Sequence, residues 1–296
     1  MSSQTKKKKP LVAFPWFGGK FYHLSWLLPL LPPCDHYCEP FGGSAVVLLN
    51  RPVSRIETYN DIYSELSHFF KTLREHRDEL LELLRLTPYS REEYELSISS
   101  ENGAGDVERA RRFVIQTCFS INSVHARNNK NAWSYSVNPA AKEYNKNCSN
   151  QPSVKFRSTI RRLPAIVERL GLVQFECRPA IEVVKRFDSG ATFFYCDPPY
   201  VHCTRRDYLS GRANTRPAYE NEMENEDHRE LAEVLHNIEG RAAISGYACD
   251  LYDKELYADW NRFEAPPRKN ASSGKIAQEI LWTNYKPSMY GPLFKE

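Results

Sequence analysis

No stretch of the 296-residue chain approaches the roughly 18 consecutive apolar residues that a membrane span requires. The N-terminus also lacks the apolar core of a secretory signal, because Lys6 to Lys9 run directly into Pro10. Both absences point to the cytoplasm. Eight cysteines (Cys34, Cys38, Cys118, Cys148, Cys177, Cys196, Cys203, Cys249) include no C-x-x-C pair, so reduced thiols packed as small core residues are expected. Cys34, His36 and Cys38 fall outside the usual zinc spacings and no second pair follows, so no metal is expected. There is no internal repeat. The G-x-G-x-x-G run of a dinucleotide site is missing, which argues against such a cofactor. Net charge is only +3, too small by itself to mark nucleic-acid binding.

What is present fits one large α/β domain with an insertion, or two domains, with a full core. Hydrophobic residues at 41% and charged residues at 26% are ordinary globular values and set no such domain aside. The charge is segregated. Basic groups cluster at Arg109, Arg111 and Arg112, at Lys155, Arg157, Arg161, Arg162 and Arg169, and at Arg205, Arg206, Arg212 and Arg216. Acidic groups gather over Glu220–Asp227. Such segregation makes a basic face on a nearly neutral molecule, whereas solvated helix faces are the plain alternative for any one cluster.

Along the chain, residues 1–10 form a basic tail expected to be disordered. Asp35–Glu39 reads as a strand, Pro40–Gly43 as a turn, and Ser44–Leu49 as a helix with Ser44 at its N-cap. Arg55–Tyr59 is a second strand, and 62–86 shows helical periodicity through Leu66, Phe69, Phe70, Leu73, Leu80, Leu83 and Leu84. Composition shifts at 87–154, which is polar and carries little apolar periodicity over Asn122–Asn150; an insertion of that size is expected to be functional. Regular order resumes from 155: helix 157–169, strand Leu172–Glu176, helix 180–187, strand 192–196, helix 226–238, and strands Ala242–Ser245 and Glu279–Tyr285.

The most informative residues are Asp197-Pro198-Pro199-Tyr200, which follow the apolar run Thr192–Cys196. A carboxylate at the carboxyl end of a buried strand sits where open α/β sheets place ligands. The two prolines stiffen the turn and remove two backbone donors. Asp197 and the Pro198 carbonyl then form a rigid pair of acceptors beside an aromatic face expected to be exposed, that of Tyr200. The set suits a planar group with an exocyclic NH2, a nucleobase above all. A turn that merely ends a strand is the bland alternative. Two glycine turns accompany it. In Phe14–Lys20, Gly18 and Gly19 let backbone approach a ligand, and Lys20 offers a cation to an acid group. In Glu39-Pro40-Phe41-Gly42-Gly43-Ser44, a strand-turn-helix element has the form that binds nucleotide-like ligands. Asp61, about 20 residues on, is placed to accept from ribose hydroxyls.

Taken in order, these elements resemble the Dam-like family of DNA adenine-N6 methyltransferases over residues 11–290. The resemblance is carried by Pro15–Lys20, Glu39–Gly43, Asn60-Asp61, Thr87-Pro88-Tyr89, Arg178-Pro179-Ala180, Tyr195–Tyr200, Ser245-Gly246-Tyr247 with Leu251-Tyr252, and Leu281–Tyr285. It implies a Rossmann-like α/β methyltransferase sheet with helices on both faces and an inserted, mainly helical or loop target-recognition domain. It assigns 11–86 to the cofactor part, 87–154 to target recognition and 155–296 to the catalytic part. S-adenosylmethionine is the implied cofactor. Trp16, Gly19 and Lys20 would hold its amino-acid end, Glu39, Pro40, Phe41 and Gly43 its cradle, Asp61 its ribose, and Cys177 and Arg178 its adenine. Asp197, Pro198, Pro199 and Tyr200 would carry catalysis, with Asp197 also among the cofactor's contacts. Relative to the best-known members, the first-half glycine turn is one residue short and the recognition insert differs.

Double-stranded DNA is the implied partner, while a restriction endonuclease as a further one, and a bacterial nucleoid or a bacteriophage as the setting, stay open. Asn122, Arg127, Asn128 and Lys130 offer the fork-shaped groups that read base edges. Arg205, Arg206, Arg212 and Tyr219 are expected to close on extruded DNA. Two alternatives stay open: an N4-cytosine methyltransferase, whose substrate amine fits the same acceptors, and a catalytically silent DNA-binding regulatory protein.

Overall fold

The structure is a computed structural model, and it describes residues 9–99, 104–121, 132–135, 151–202, 204, 222–269 and 276–287. In chain order the elements are α1 (Leu24–Leu27), β1 (His36–Glu39), α2 (Val46–Asn50), β2 (Ile56–Asn60), α3 (Ser64–Glu75), α4 (Arg77–Leu86), α5 (Arg91–Ile98), α6 (Asp106–Phe119), α7 (Pro152–Leu170), β3 (Val173–Glu176), α8 (Ala180–Phe187), β4 (Thr192–Cys196), α9 (Asn225–His236), β5 (Arg241–Tyr247), β6 (Asn261–Glu264), β7 (Arg268–Lys269), β8 (Ile276–Ala277) and β9 (Glu279–Thr283). They group into two units. One comprises residues 1–21, 44–51 and 71–171, the other 22–43, 52–70 and 172–296.

The second unit holds a seven-stranded sheet in the order β3-β2-β1-β4-β5-β9-β6. The strands β3, β2, β1, β4 and β5 run parallel, and β9 runs antiparallel between β5 and β6. The all-buried Thr-Phe-Phe-Tyr-Cys run of β4 is what a central parallel strand, covered on both faces, requires. On one face Cys38, Phe194, Cys196, Ala242 and Ile244 pack with Val183 and Val184 of α8 and Leu231 and Leu235 of α9. On the other, Tyr59 lies 5.3 Å from both Phe70 of α3 and Phe175 of β3. The chain leaves β1 toward β2 and β3, then returns on the opposite side of β1 to form β4. This reversal is the switch point at which such sheets bind ligands, outside the carboxyl ends of the strands.

The first unit is helical. Although 87–154 reads as polar, α5 and α6 flank an aromatic core in which Tyr89 lies 4.2 Å from Phe119 and 4.8 Å from Trp133, and Phe119 lies 4.8 Å from Phe156 of α7. The expected helix over 62–86 is two helices. His76 leaves helical geometry at φ −124°, ψ 39°, and Asp78 and Glu79 favour a new N-terminus there. The second helix stops at Leu86 because Thr87 precedes Pro88 and takes extended backbone.

Two basic clusters serve this frame. Arg162 on α7 donates through Nε to the Val12 carbonyl at 3.0 Å and through its other nitrogens to Ser158 and Thr159. Arg169 donates to the Leu48 carbonyl at 2.7 Å, tying α2 to α7. Arg111 pairs with Glu93 and Glu108, and Arg112 pairs with Glu108. These arginines serve the frame of the first unit: Arg111 ties α6 to α5 and Arg169 ties α7 to α2, while Arg112 pairs within α6 and Arg162 bonds within α7 and to Val12. The cluster at 205–216 lies outside the described residues.

Candidate active site

Five parallel strands deliver their carboxyl ends to one edge of the sheet, and Asn60, fully buried at the end of β2, joins the ends of three of them. Its amide nitrogen donates to the carbonyls of Pro40 (2.8 Å) and Arg178 (3.0 Å), and its oxygen accepts from the Arg178 N–H (2.9 Å). Neighbouring residues of β2 then shape the turn after β1. The Asn60 carbonyl accepts from Gly42 N–H at 2.8 Å. Tyr59 donates its hydroxyl to the Gly43 carbonyl at 2.7 Å, and Asp61 Oδ2 accepts from Gly43 N–H at 2.8 Å. Tyr59 also explains Gly42, since a Cβ there would fall 2.2 Å from its ring.

Asp61 Oδ1 accepts from the Tyr63 N–H at 2.9 Å. Burial pushes the Asp61 carboxyl from its ordinary 3.8 to about 7, against the downward pull of the Gly43 N–H. Gly43 has φ 50° and Ala45 has φ 57°, the sole non-glycine with positive φ among the described residues. The glycine turn that reads as one residue short therefore has a second left-handed position, and an alanine occupies it. Ser44, expected at the N-cap, makes no such cap: α2 begins at Val46 after Ala45, without a side-chain cap hydrogen bond.

The tetrapeptide follows β4 on this same edge. Asp197 is half-buried and Pro198 buried, and one Asp197 oxygen, Oδ1, lies wholly out of solvent. Tyr200 corrects an expectation. Its ring is 7% exposed rather than presented openly, because its hydroxyl donates to the buried Glu279 of β9 and the ring of Tyr247 stands edge-on at 4.8 Å and 77°. Burial, then Glu279, Asp197 and Tyr247, raise the Tyr200 hydroxyl far above its usual range, so it stays protonated and donates. Two further polar pairs lie nearby: Tyr37 donates to Glu39 Oε1 at 2.6 Å, and the Tyr195 and Ser245 hydroxyls are 2.7 Å apart. Strand register puts Glu39, Tyr195, Ser245, Tyr247 and Glu279 on one face of the sheet.

Cys177 and Arg178 are exposed at the end of β3. The Arg178 side chain lies near Glu176 and Glu182, at 3.3 and 3.7 Å, while its backbone is held by Asn60. Phe41 and Gly43 are half-buried, and Pro40 is buried. In the first unit, Gly18 has φ 74° and Lys20 is 3% exposed, its ammonium donating to the Gly18 carbonyl at 3.1 Å. A Cβ on Gly19 would lie 3.1 Å from the Trp16 carbonyl, and Trp16 packs edge-on to Phe14 at 5.7 Å. Asn122, Arg127, Asn128, Lys130, Arg205, Arg206, Arg212 and Tyr219 lie outside the described residues.

Sequence reasoning missed Tyr59 and Glu279. The signal for Glu279 was available: a carboxylate heads the otherwise apolar strand Glu279-Ile280-Leu281-Trp282-Thr283, and a buried charge in such a run calls for a partner.

The bare turn at Gly42-Gly43 and the Asp61 carboxylate beside it fit a nucleoside-bearing methyl donor, whose base needs close backbone approach and whose ribose needs acceptors. The model of the D12 class N6 adenine-specific DNA methyltransferases matches residues 16–269. The chain is 27% identical over 291 residues to Type II methyltransferase M1.LlaDCHI of Lactococcus lactis subsp. cremoris, covering 91% of this chain and 94% of that protein. It is 26% identical over 210 residues to the DNA N-6-adenine-methyltransferase of Escherichia phage P1, covering 67% of this chain and 26% of that longer protein. A match that spans most of the chain, on a sheet with its switch point between the glycine turn and the Asp-Pro-Pro-Tyr corner, makes the assignment: this chain belongs to the D12 class of N6 adenine-specific DNA methyltransferases.

Proposed function

We propose that the chain transfers a methyl group from S-adenosylmethionine to N6 of an adenine turned out of double-stranded DNA, and that the corner after β4 performs the transfer. The observation that carries this reading is the position of Asp197, half-buried at the carboxyl end of β4 beside the switch point. When bound, the cofactor supplies an electrophilic methyl group on its sulfonium. The Asp197 carboxylate and the Pro198 carbonyl accept the two N–H bonds of the amine, which localises its lone pair on nitrogen. Acceptors held in place before the reaction lower the barrier by electrostatic preorganisation, and a stiff turn holds the nitrogen in line. The small part of the Tyr200 ring left uncovered stacks on the base, which partly offsets the few kcal/mol that extrusion costs.

For the donor, Asp61 takes the ribose hydroxyls. Glu39, Pro40, Phe41 and Gly43 form the cradle, and Cys177 and Arg178 flank the adenine. Trp16, Gly19 and Lys20 are assigned to the amino-acid end on the strength of the Pro15–Lys20 motif. Target reading falls to Asn122, Arg127, Asn128 and Lys130, with Arg205, Arg206, Arg212 and Tyr219 closing on the DNA. The setting is the cytoplasm of a bacterium or of a phage-infected cell, where a restriction endonuclease is a natural partner. No helix among the described residues is long and apolar enough to cross a membrane.

The test is a methyl-transfer assay on duplex DNA, with mass analysis of the product nucleosides. N6-methyladenine from the native chain and none from Asp197→Ala is the expected pair of results. An unimpaired alanine variant would remove Asp197 from its role, N4-methylcytosine would move the target to cytosine, and no transfer at all would favour a silent DNA-binding protein.

A further inference from the structure

Tyr200 is held by more than its own turn, and the residue that holds it comes from the far end of the sequence. Pro198 and Pro199 restrict the backbone on one side. The ring of Tyr247 closes its edge at 4.8 Å. Its hydroxyl donates to Oε1 of Glu279, which is 4% exposed. Tyr247 and Glu279 are direct cross-strand partners on β5 and β9, so edge and acceptor arrive as one unit. The second oxygen of Glu279, Oε2, faces Nε2 of His23 at 4.0 Å.

We infer that Glu279 is a positioning residue for methyl transfer, fixing the orientation of the Tyr200 ring on which the extruded base stacks. An aromatic platform helps an in-line displacement only when its plane is set before the base arrives; a ring free to turn about its side-chain bonds would let the amine drift from the acceptors. Glu279 removes that freedom without touching the base. It needs only to accept a hydrogen bond, so the amide oxygen of glutamine can replace it. The inference rests on the reading of Tyr200 as the stacking residue.

The experiment compares Glu279→Ala, Glu279→Gln, Tyr200→Phe, Tyr200→Ala and the double variant Glu279→Ala/Tyr200→Phe in single-turnover methylation of unmethylated plasmid DNA, alongside cofactor binding by calorimetry. We expect Glu279→Ala and Tyr200→Phe each to slow transfer about tenfold, by matching factors and with cofactor affinity unchanged. The double variant should be no slower than the slower single, and Glu279→Gln should recover to within about threefold of the native rate. Losses that multiply in the double variant, or a native rate in Glu279→Ala, would overturn the role of Glu279. Should Glu279→Ala fail to fold, Glu279→Gln keeps the test. It is expected to lose its remaining advantage when Tyr200→Phe is added, and an independent further loss counts against the inference. Tyr200→Ala at the native rate would sink the stacking role itself, a result separable from either of these.

Discussion

The Asp61 carboxylate and the Gly43 N–H are joined by a 2.8 Å hydrogen bond that links the end of β2 to the turn after β1. This bond favours the charged carboxylate, whereas burial favours the neutral acid, and burial prevails in setting the carboxyl near 7. Ribose hydroxyls donated to Asp61, its proposed role, would also favour the charged form. Cofactor affinity should therefore fall as pH drops below about 7, approaching tenfold per pH unit, and Asp61→Asn should flatten that dependence. Calorimetric titration with the cofactor from pH 8.5 to about 5.5 checks both statements. The stability linkage has the opposite sign. The folded value lies above the unfolded one of 3.8, so the stabilisation from neutral Asp61 is complete below that value and is lost as pH rises through about 7.

Gly42→Ala should be severe. A Cβ would lie 2.2, 2.5 and 2.8 Å from three atoms of the buried Tyr59 ring, and that ring cannot retreat without releasing its hydrogen bond to the Gly43 carbonyl. Overpacking of this kind costs about 3 kcal/mol. Denaturant unfolding should show that loss, and cofactor binding should fail with it.

Ala45 carries a left-handed backbone at φ 57°, which costs an L-residue about 1–2 kcal/mol. Glycine would relieve that strain but forfeit a fully buried methyl, about 0.8 kcal/mol, and add about 0.5–1 kcal/mol of unfolded-state entropy. The terms nearly cancel, so Ala45→Gly should leave stability within about 1 kcal/mol of the native chain. Ala45→Val, with a branched side chain in the same backbone, should be strongly destabilised. Thermal melts of the two variants separate these outcomes.

Arg162 distinguishes a structural arginine from a phosphate-binding one. Its bonds to the Val12 carbonyl, Ser158 and Thr159 predict a loss of about 1.5–3 kcal/mol in Arg162→Ala. The salt dependence of DNA binding should not change, since no phosphate contact is removed. A shallower salt slope with unaltered stability would contradict this assignment.

The strands that carry the site were legible because a parallel strand covered on both faces must be apolar throughout, and Thr192–Cys196 is. The carboxyl-end position of Asp197, the turn at Gly42-Gly43 and the acid at Asp61 followed from that strand reading and from chain order. The burial of Tyr200 did not follow, because it depends on Glu279, 79 positions away, and no local pattern reports a cross-sheet hydrogen bond. The aromatic core of the helical unit was hidden for a similar reason: Tyr89, Phe119, Trp133 and Phe156 are too far apart to show periodicity. The short strand β6 alternates partly exposed residues and gives a weak signal over four positions. Ser44 lost its expected capping role to a left-handed Ala45, a backbone choice that side-chain preference does not reveal.

The antiparallel insertion of β9 makes the Asp-Pro-Pro-Tyr corner depend on a strand near the end of the chain. A chain truncated ahead of residue 279 would expose the ladder of β5 as a raw edge and remove the carboxylate that accepts from the Tyr200 hydroxyl. Activity across a series of C-terminal deletions should then end in a single step at this strand.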